Sequence, residues 1–522
     1  MLHSYQVGWC DEVSNSEDEL ARPVFDLAVQ GCIPALTKSG PDLVQRSIVE
    51  AIVHAEDDIA ISHPSSGTEI ALYELLLAIC HAAGFTPKRP SIWKTWVEER
   101  KSLEPVVDWL IRPENRGLFD LFDPVRPYGQ NKLLADHVAE HGYSPVQLLL
   151  ERAKDYNQFV DHVHLHDREP VMARDAFLAM ITQHAYGLGG RMMGSVSGAL
   201  GRPFTYGSVG RLGARARVLA IGDSVADTLR LNLCTASQGG SLNTSWTAGV
   251  ERRKFASTRE PRVPKGPADW HSALGRSILL RPRSGVESPD DVVVDRVLMG
   301  AGEMISTQAN DHDAVYVSTR PMQASLSKAL WRDAHAIYAA SLESGRTSLF
   351  TLIATLDRHL SLLVVGLDAD NMKVRGWVRD VFPYNSHRAP ELRNAAENGV
   401  KLADEAVQAV QRAAATACRY AYPARNRENT KTLTGRFDAT DEVWARAGAP
   451  FHHLLREVAN GANRVDSLRR HATTMRAIAI NAFDERLRAL PPNTRGWRAT
   501  VQARQELLDQ LARKRTFKTY SE

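Results

Sequence analysis

The chain has 522 residues, of which 43% are hydrophobic and 24% are charged. This length predicts more than one domain, and the composition excludes a disordered or collagen-like protein. The net charge of +3 is unevenly distributed: residues 1–150 carry 12 basic and 22 acidic side chains, whereas residues 386–522 carry 24 and 15. We therefore expect an acidic surface for protein partners and a basic surface for phosphate groups.

Five scattered cysteines without a C-x-x-C pair argue against a disulfide framework or a thiolate zinc site, and favour the reducing cytoplasm. Residues 1–24 are expected to form an N-terminal extension. They hold acids where a signal peptide has a basic start, and no later stretch reaches the roughly 18 apolar residues of a membrane helix. The sequence thus predicts no membrane association.

Residues 25–385 mix helical and strand-like segments. A helix is predicted over 69–83, and apolar or β-branched runs at 216–222, 291–299 and 360–367 predict buried strands. These runs do not alternate with helices of one length, so a doubly wound sheet or a barrel is disfavoured. We expect an irregular α+β domain.

Residues 386–522 are predicted to form a C-terminal four-helix bundle with its Arg and Lys residues outside. Short connections between long amphipathic helices favour antiparallel neighbours. Gly461 separates two of the helices, and Asn493 is a plausible helix cap. The predicted helices span 389–421, 440–460, 463–489 and 496–515.

The segment VLAIGDSVADT (218–228) resembles the nucleophile block of GDS-type serine esterases. Ser224 would then need a histidine base held by an aspartate. The one obvious D-x-x-H, Asp161 to His164, precedes the serine instead of following it. The alternative is a strand that ends in an Asp-Ser turn and caps a helix.

Three alternating histidines, His162, His164 and His166, could face one side of a strand and bind zinc. Their polar surroundings favour a solvated loop. The glycine-rich segment AYGLGGRMMG (185–194) could approach phosphate closely, but its spacing does not match a P-loop. By itself, this segment indicates a tight turn.

The order of motifs along the chain resembles the CasA family, the large subunit of the type I-E CRISPR Cascade surveillance complex. The resemblance covers about residues 25–522. It rests on collinear motifs: Phe25-Asp26-Leu27, Ile33-Pro34, LYELLLAICHAA (72–83), Pro127-Tyr128-Gly129-Gln130, NQFVDH (157–162), GLGG (187–190), RVLAIGDSVADTLRLNL (217–233), ALWRDAHAIY (329–338) and GLDADNMKVRGWVRDVFP (366–383).

This resemblance implies a DNA-recognition subunit that is not an enzyme and has no cofactor. Guide RNA reads the target sequence, while the protein reads a short adjacent motif, the PAM, in the duplex and promotes strand opening and R-loop formation. The implied partners are double-stranded target DNA, the guide-RNA-containing Cascade subunits and a recruited helicase-nuclease.

The resemblance also implies individual site residues. Phe159, Val160 and Asp161 occupy the family's recognition loop, and Asn371 stands where the family has a glutamine wedge. Three glycines match the glycine turn of the family: Gly187, Gly189 and Gly190. The alternative for each position is an ordinary surface loop.

The family lysine that probes the minor groove has no clear counterpart, and Arg281 and Arg283 are the nearest basic candidates. On the bundle, Arg469, Arg470 and Arg476 are expected to contact phosphates of the displaced strand or of the RNA–DNA channel.

Overall fold

The computed structural model describes residues 23–151, 169–191, 206–248, 253, 260–285, 291–306, 312–342, 348–370, 373–423 and 427–520. Within these ranges the N-terminal part combines short helices with small antiparallel sheets, and the C-terminal part is helical. The α+β prediction is confirmed. Predicted helix 69–83 corresponds to a helix at Ser66–Ala82, and the three predicted strand runs are all strands.

The described strands form three three-stranded sheets and two short pairs. The strand orders are β2-β1-β3, β13-β12-β7 and β4-β9-β8, and the short pairs are β5-β6 and β10-β11. The strands are β1 (Ile33–Thr37), β2 (Leu43–Arg46), β3 (Asp58–Ile61), β4 (Val171–Met172), β5 (Gly190–Arg191), β6 (Tyr206–Gly207), β7 (Arg217–Ile221), β8 (Arg276–Ser284), β9 (Val292–Ala301), β10 (Tyr316–Val317), β11 (Arg320–Pro321), β12 (His359–Asp370) and β13 (Lys373–Asn385).

The described helices before residue 386 are mostly short. The two longest, Ser66–Ala82 and Ala173–Tyr186, are buried on nearly all sides, as expected of helices in a domain core. The helices are α1 (Ile48–Val53), α2 (Ser66–Ala82), α3 (Pro90–Glu98), α4 (Glu104–Ile111), α5 (Ala135–His141), α6 (Ala173–Tyr186), α7 (Val225–Asn232), α8 (Pro267–His271), α9 (Ala334–Ala340) and α10 (Leu349–Ile353).

The C-terminal bundle forms around one long helix that contacts the three other long helices. Asn493 caps a helix as predicted, since its side chain accepts a hydrogen bond from the amide of Gly496 (2.9 Å). The four predicted helices match the structure to within two residues at each end. The bundle helices are α11 (Ala389–Ala421), α13 (Thr440–Ala459), α14 (Arg464–Leu487) and α15 (Thr494–Arg513), with two short additions, α12 (Arg427–Gly435) and α16 (Arg515–Tyr520).

Apolar packing continues from the mixed part into the bundle. Trp331 lies against Trp444 and Phe451 of α13, with ring centroids 5.7 and 4.7 Å apart, and α9 packs on α11. Buried residues of both parts belong to one cluster. The bundle is therefore packed against the mixed part, and the proposed division at residue 385 stays a prediction.

Candidate nucleic-acid interface

The hairpin of β12 and β13 places the described neighbours of Asn371 opposite each other. Asp370 pairs with Lys373 at the end of the ladder, and Asn371 itself lies outside the described residues. Arg375 is the extra residue of a β-bulge, and its guanidinium lies 3.1 Å from Asp370 and 3.7 Å from Asp368. These ion pairs and the bulge fix the local twist just before the predicted wedge position.

Trp377, six positions beyond Asn371 on β13, joins the hairpin to two other parts of the chain. Its ring meets Tyr186 edge-on with centroids 4.7 Å apart, and its indole N–H donates to the carboxylate of Glu151. Glu151 also accepts a hydrogen bond from the hydroxyl of Ser65 (2.7 Å). We call Glu151, Tyr186 and Trp377 the anchor cluster.

The anchor cluster lies where two predicted recognition segments begin: the segment that contains the recognition loop, and the glycine turn. Glu151 is the last described residue before 152–168, which contains Phe159, Val160 and Asp161; these three lie outside the described residues, as do His162, His164 and His166. Tyr186 directly precedes the glycine turn. The cluster therefore connects the start of the predicted recognition loop, the glycine turn and the wedge hairpin.

A buried arginine holds the backbone of the glycine turn by hydrogen bonds. Arg276 of β8 donates to the carbonyl of Leu188 and, over 3.0 Å, to that of Ser208, and no carboxylate pairs with it among the described residues. Desolvation lowers its pKa from 12.5 to about 10, so it remains charged near neutral pH. This guanidinium fixes the backbone of the turn.

The three predicted glycines differ in exposure. Gly187 is buried, and a Cβ at this position would lie 2.5 Å from the guanidinium carbon of Arg276. Gly189 and Gly190 are partly exposed, and Gly190 has a φ of +141°, which an L side chain rarely adopts. Packing thus explains Gly187 and also constrains Gly189, where a Cβ would lie 2.9 Å from Cγ2 of Val209, but the backbone of Gly189 and Gly190 remains partly exposed.

The two arginine candidates on β8 share one carboxylate. Asp295 of β9 pairs with Arg281 and, at 2.7 Å, with Arg283. The side chain of Arg283 is 63% exposed and that of Arg281 is 25% exposed. One acid compensates only one of the two positive charges, so the pair keeps a net positive charge. Because Arg283 is the more exposed, it is the better placed of the two to reach a phosphate.

The bundle arginines lie on the exposed side of α14. Arg469 and Arg476 are seven residues apart and share one helical face. Arg469 pairs with Asp466 at 3.3 Å and Arg470 with Glu457 at 3.0 Å. Arg476 is exposed and has no ion-pair partner within the described parts of the chain, so it carries the least compensated charge.

Ser224 has the structural role of a helix cap. Its hydroxyl accepts a hydrogen bond from the amide of Asp227 (3.1 Å) at the start of α7 and donates to Glu56 (3.2 Å). The residue is 2% exposed, and its described partners include no histidine. This geometry favours the Asp-Ser turn over the esterase hypothesis.

Comparison with known proteins decides the family. The family model described as CRISPR-associated protein Cse1 (CRISPR_cse1) matches residues 27–488, which is most of the chain. The chain belongs to the Cse1 family. A curated relative from Thermus thermophilus, CRISPR-associated protein CasA/Cse1, is 26% identical over 92% of this chain and 96% of its own length. The predicted resemblance to the CasA family is confirmed.

Solved Cse1 structures share the fold. Cse1 from Acidimicrobium ferrooxidans superposes with a TM-score of 0.74 at 22% identity, covering 96% of this chain and 99% of its own. A chain of a CRISPR RNA-guided surveillance complex has a TM-score of 0.70 at 18% identity, covering 93% and 100%. In the described ranges of this Cse1 chain, no helix combines the length and apolarity needed to cross a membrane.

Sequence reasoning missed the residues that position the Cse1 motifs. Trp377 stands inside the quoted hairpin motif, but its partner Glu151 lies 226 residues away along the chain. Arg276 belongs to none of the motifs that indicated the site, and only its burial and its hydrogen bonds to the turn reveal its role. The tryptophan beside Gly376 was the one available signal, since a large aromatic side chain usually buries much of its surface against neighbouring residues.

Proposed function

We propose that this Cse1 chain is the large, DNA-recognition subunit of a guide-RNA surveillance complex of the type I-E Cascade kind. It reads the PAM in duplex DNA, promotes strand opening and R-loop formation, and recruits a helicase-nuclease. Sequence readout beyond the PAM is left to base pairing with the guide RNA. The chain itself performs no catalytic step.

The observation that carries this proposal is the anchor cluster. Recognition of a paired motif and opening of the adjacent base pair must occur within a few base pairs of each other. Glu151, Tyr186 and Trp377 tie together the segments to which the family resemblance assigns these two tasks. Because these segments begin at the same cluster, the arrangement supports a common site for reading the PAM and opening the duplex.

The chemistry of the candidate residues fits the minor groove. The pattern of donors and acceptors in that groove is degenerate, and the narrow groove favours close approach by backbone and small residues. Gly189 and Gly190 offer such a backbone. At Asn371, one methylene shorter than the family glutamine, insertion at a base step would assist unstacking at a cost of a few kcal/mol.

The assembled complex tests the proposal directly. A guide-RNA complex prepared without this chain should bind a single-stranded complementary target but lose most of its affinity for a PAM-containing duplex. Adding the purified chain should restore duplex binding. Equal affinity for the duplex with and without the chain would contradict the proposed role.

The bundle arginines should contribute through counterion release. Removing one arginine that binds a phosphate should flatten the log–log salt dependence of DNA binding by about 0.7 to 0.9. We expect Arg476→Gln to have this full effect, and Arg469→Gln and Arg470→Gln to have smaller effects, because Asp466 and Glu457 already compensate those charges. Binding titrations across a salt series measure the slope.

Arg446→Gln is the matched control, since Arg446 is an exposed bundle arginine that pairs with Glu485 at 2.7 Å. Exposed substitutions of this kind change stability by less than about 0.5 kcal/mol, so folding should be unaffected. If the slope is the same for the unchanged complex and for a triple Arg469, Arg470 and Arg476 variant, this surface does not contact phosphate.

A further inference from the structure

Three buried side chains from distant parts of the sequence meet in the interior of the mixed α+β part of the chain. They are His81 in the last turn of α2, Cys234 just after α7, and His271 at the end of α8. One potential ligand atom from each lies within 4.8 Å of the other two. Cys234 Sγ and His271 Nε2 are 3.7 Å apart.

Neighbouring groups fix which nitrogen of each imidazole faces the cluster. The carboxylate of Glu74 accepts a hydrogen bond from the Nδ1–H of His271 over 2.8 Å, so Nε2 carries the lone pair. His81 Nδ1 lies 2.8 Å from the hydroxyl of Thr86, and its Nε2 accepts a hydrogen bond from the backbone N–H of Cys234 (3.3 Å), which a metal bond would replace. Burial lowers the pKa of both histidines below 6.5, which keeps them neutral at neutral pH.

At many zinc sites, a carboxylate accepts a hydrogen bond from the ring N–H of a histidine whose other nitrogen binds the metal, and Glu74 is placed to do this for His271. A carboxylate that accepts the second N–H of a ligating histidine fixes its tautomer and ring orientation. Arg211 and Arg217 also pair with Glu74, the latter at 2.8 Å. These arginines hold Glu74 in place as an orienting group, and leave the two histidines and Cys234 as the inner ligands.

A fourth imidazole, half-buried, adjoins the cluster. His312 is close enough to lower the pKa of His81 by charge repulsion, and its Nε2 has no hydrogen-bond partner among the described residues. A buried polar atom without a partner is costly and often marks a site that another group completes. The ring nitrogens of His312 do not share the 4.8 Å spacing of the other three ligand atoms, so a shift of this side chain would be needed for it to become a fourth ligand.

We propose that His81 Nε2, Cys234 Sγ and His271 Nε2 bind a zinc ion, with water or, after a side-chain shift, His312 in the fourth position. Thiolate and imidazole are the ligands that zinc prefers, and tetrahedral bonds of about 2.3 and 2.0 Å place sulfur and nitrogen about 3.5 Å apart. The observed 3.7 Å between Cys234 and His271 is close to this value.

Binding would exchange a proton for the metal. The thiol of Cys234 loses its proton to solvent as the zinc–sulfur bond forms, and no redox step is involved. Burial raises the pKa of this thiol while Arg217 opposes the increase. The metal would join α2 to the segments after α7 and in α8, whose ligands are 153 and 37 residues apart, so that no local sequence motif signals the site.

Metal analysis of the full-length chain, produced with added zinc and purified without chelator, tests the site. We expect about one zinc ion per chain, and a thiolate-to-metal charge-transfer band after replacement by Co²⁺. Cys234→Ala and His271→Gln should abolish the band. Cys418→Ala, which removes a buried cysteine of the bundle, should retain it.

A variant with His162, His164 and His166 replaced by Gln separates this site from the alternating histidines, which cannot produce a sulfur band. Removal of zinc from the unchanged chain should lower the midpoint of thermal unfolding, so the site remains testable if Cys234→Ala does not fold. Two results would overturn the proposal. One is a chain that binds one Co²⁺ ion but shows no thiolate charge-transfer band; the other is a zinc content that neither Cys234→Ala nor His271→Gln changes.

Discussion

Replacing Trp377 with Ala should weaken binding of the assembled complex to duplex target by about tenfold or more, while single-stranded target binding stays nearly unchanged. The variant loses the edge-on packing with Tyr186 and the hydrogen bond to Glu151. An aromatic pair contributes about 0.5 to 1.5 kcal/mol, and a hydrogen bond to a charged group about 1.5 to 3. Without these contacts, DNA binding must supply the free energy that orders the segments. A cost of about 1.4 kcal/mol is enough to reduce the affinity of the variant tenfold.

Two milder variants separate this positioning effect from misfolding. Trp377→Phe keeps an aromatic ring for Tyr186 but removes the indole N–H, and Glu151→Ala removes the acceptor of the same hydrogen bond. Both should give intermediate losses on duplex target, measured by equilibrium titration with the two forms of DNA. A loss of equal size on single-stranded target would assign the cluster to assembly of the complex instead.

Gly187→Ala should destabilise the chain by about 1 to 3 kcal/mol, the usual cost of adding a group to a packed interior. The new methyl group would lie 2.5 Å from the guanidinium carbon of Arg276, which holds the carbonyl of Leu188. The turn and its arginine cannot both keep their positions. Denaturant unfolding of the isolated chain measures the change.

Gly40→Ala is the matched control, because a Cβ there meets nothing within 4 Å and the backbone φ is not positive. It should shift stability by less than about 0.5 kcal/mol. Similar unfolding free energies for the two variants would show that Gly187 is not constrained by packing, and its predicted contact with DNA would then be the better explanation for the glycine.

The sequence predicted the secondary structure well where local signals were strong. The bundle helices were recognisable because apolar residues recur every three to four positions and because Gly461 and Asn493 mark helix ends. The strand at 360–367 was recognisable as a continuous apolar run. These features depend on neighbours within a few residues, which the sequence shows directly.

The candidate site was predictable only in part, because its contacts join residues far apart in the chain. Family resemblance indicated the glycine turn and the wedge position Asn371, but not that Trp377 connects these segments through Tyr186 and Glu151. Arg276 stands in none of the predicted motifs, and only its burial and its hydrogen bonds identify it as the support of the turn. The His81, Cys234 and His271 cluster was invisible for the same reason.

The most direct test of duplex reading and opening compares Asn371→Ala with Phe159→Ala on three targets: a duplex, a duplex with a pre-opened bubble beside the PAM, and a single strand. Both variants should weaken duplex binding and leave single-strand binding unchanged. The bubble should rescue Asn371→Ala, since it removes the step that a wedge assists, and should rescue Phe159→Ala less. Equal losses on all three targets would contradict the account.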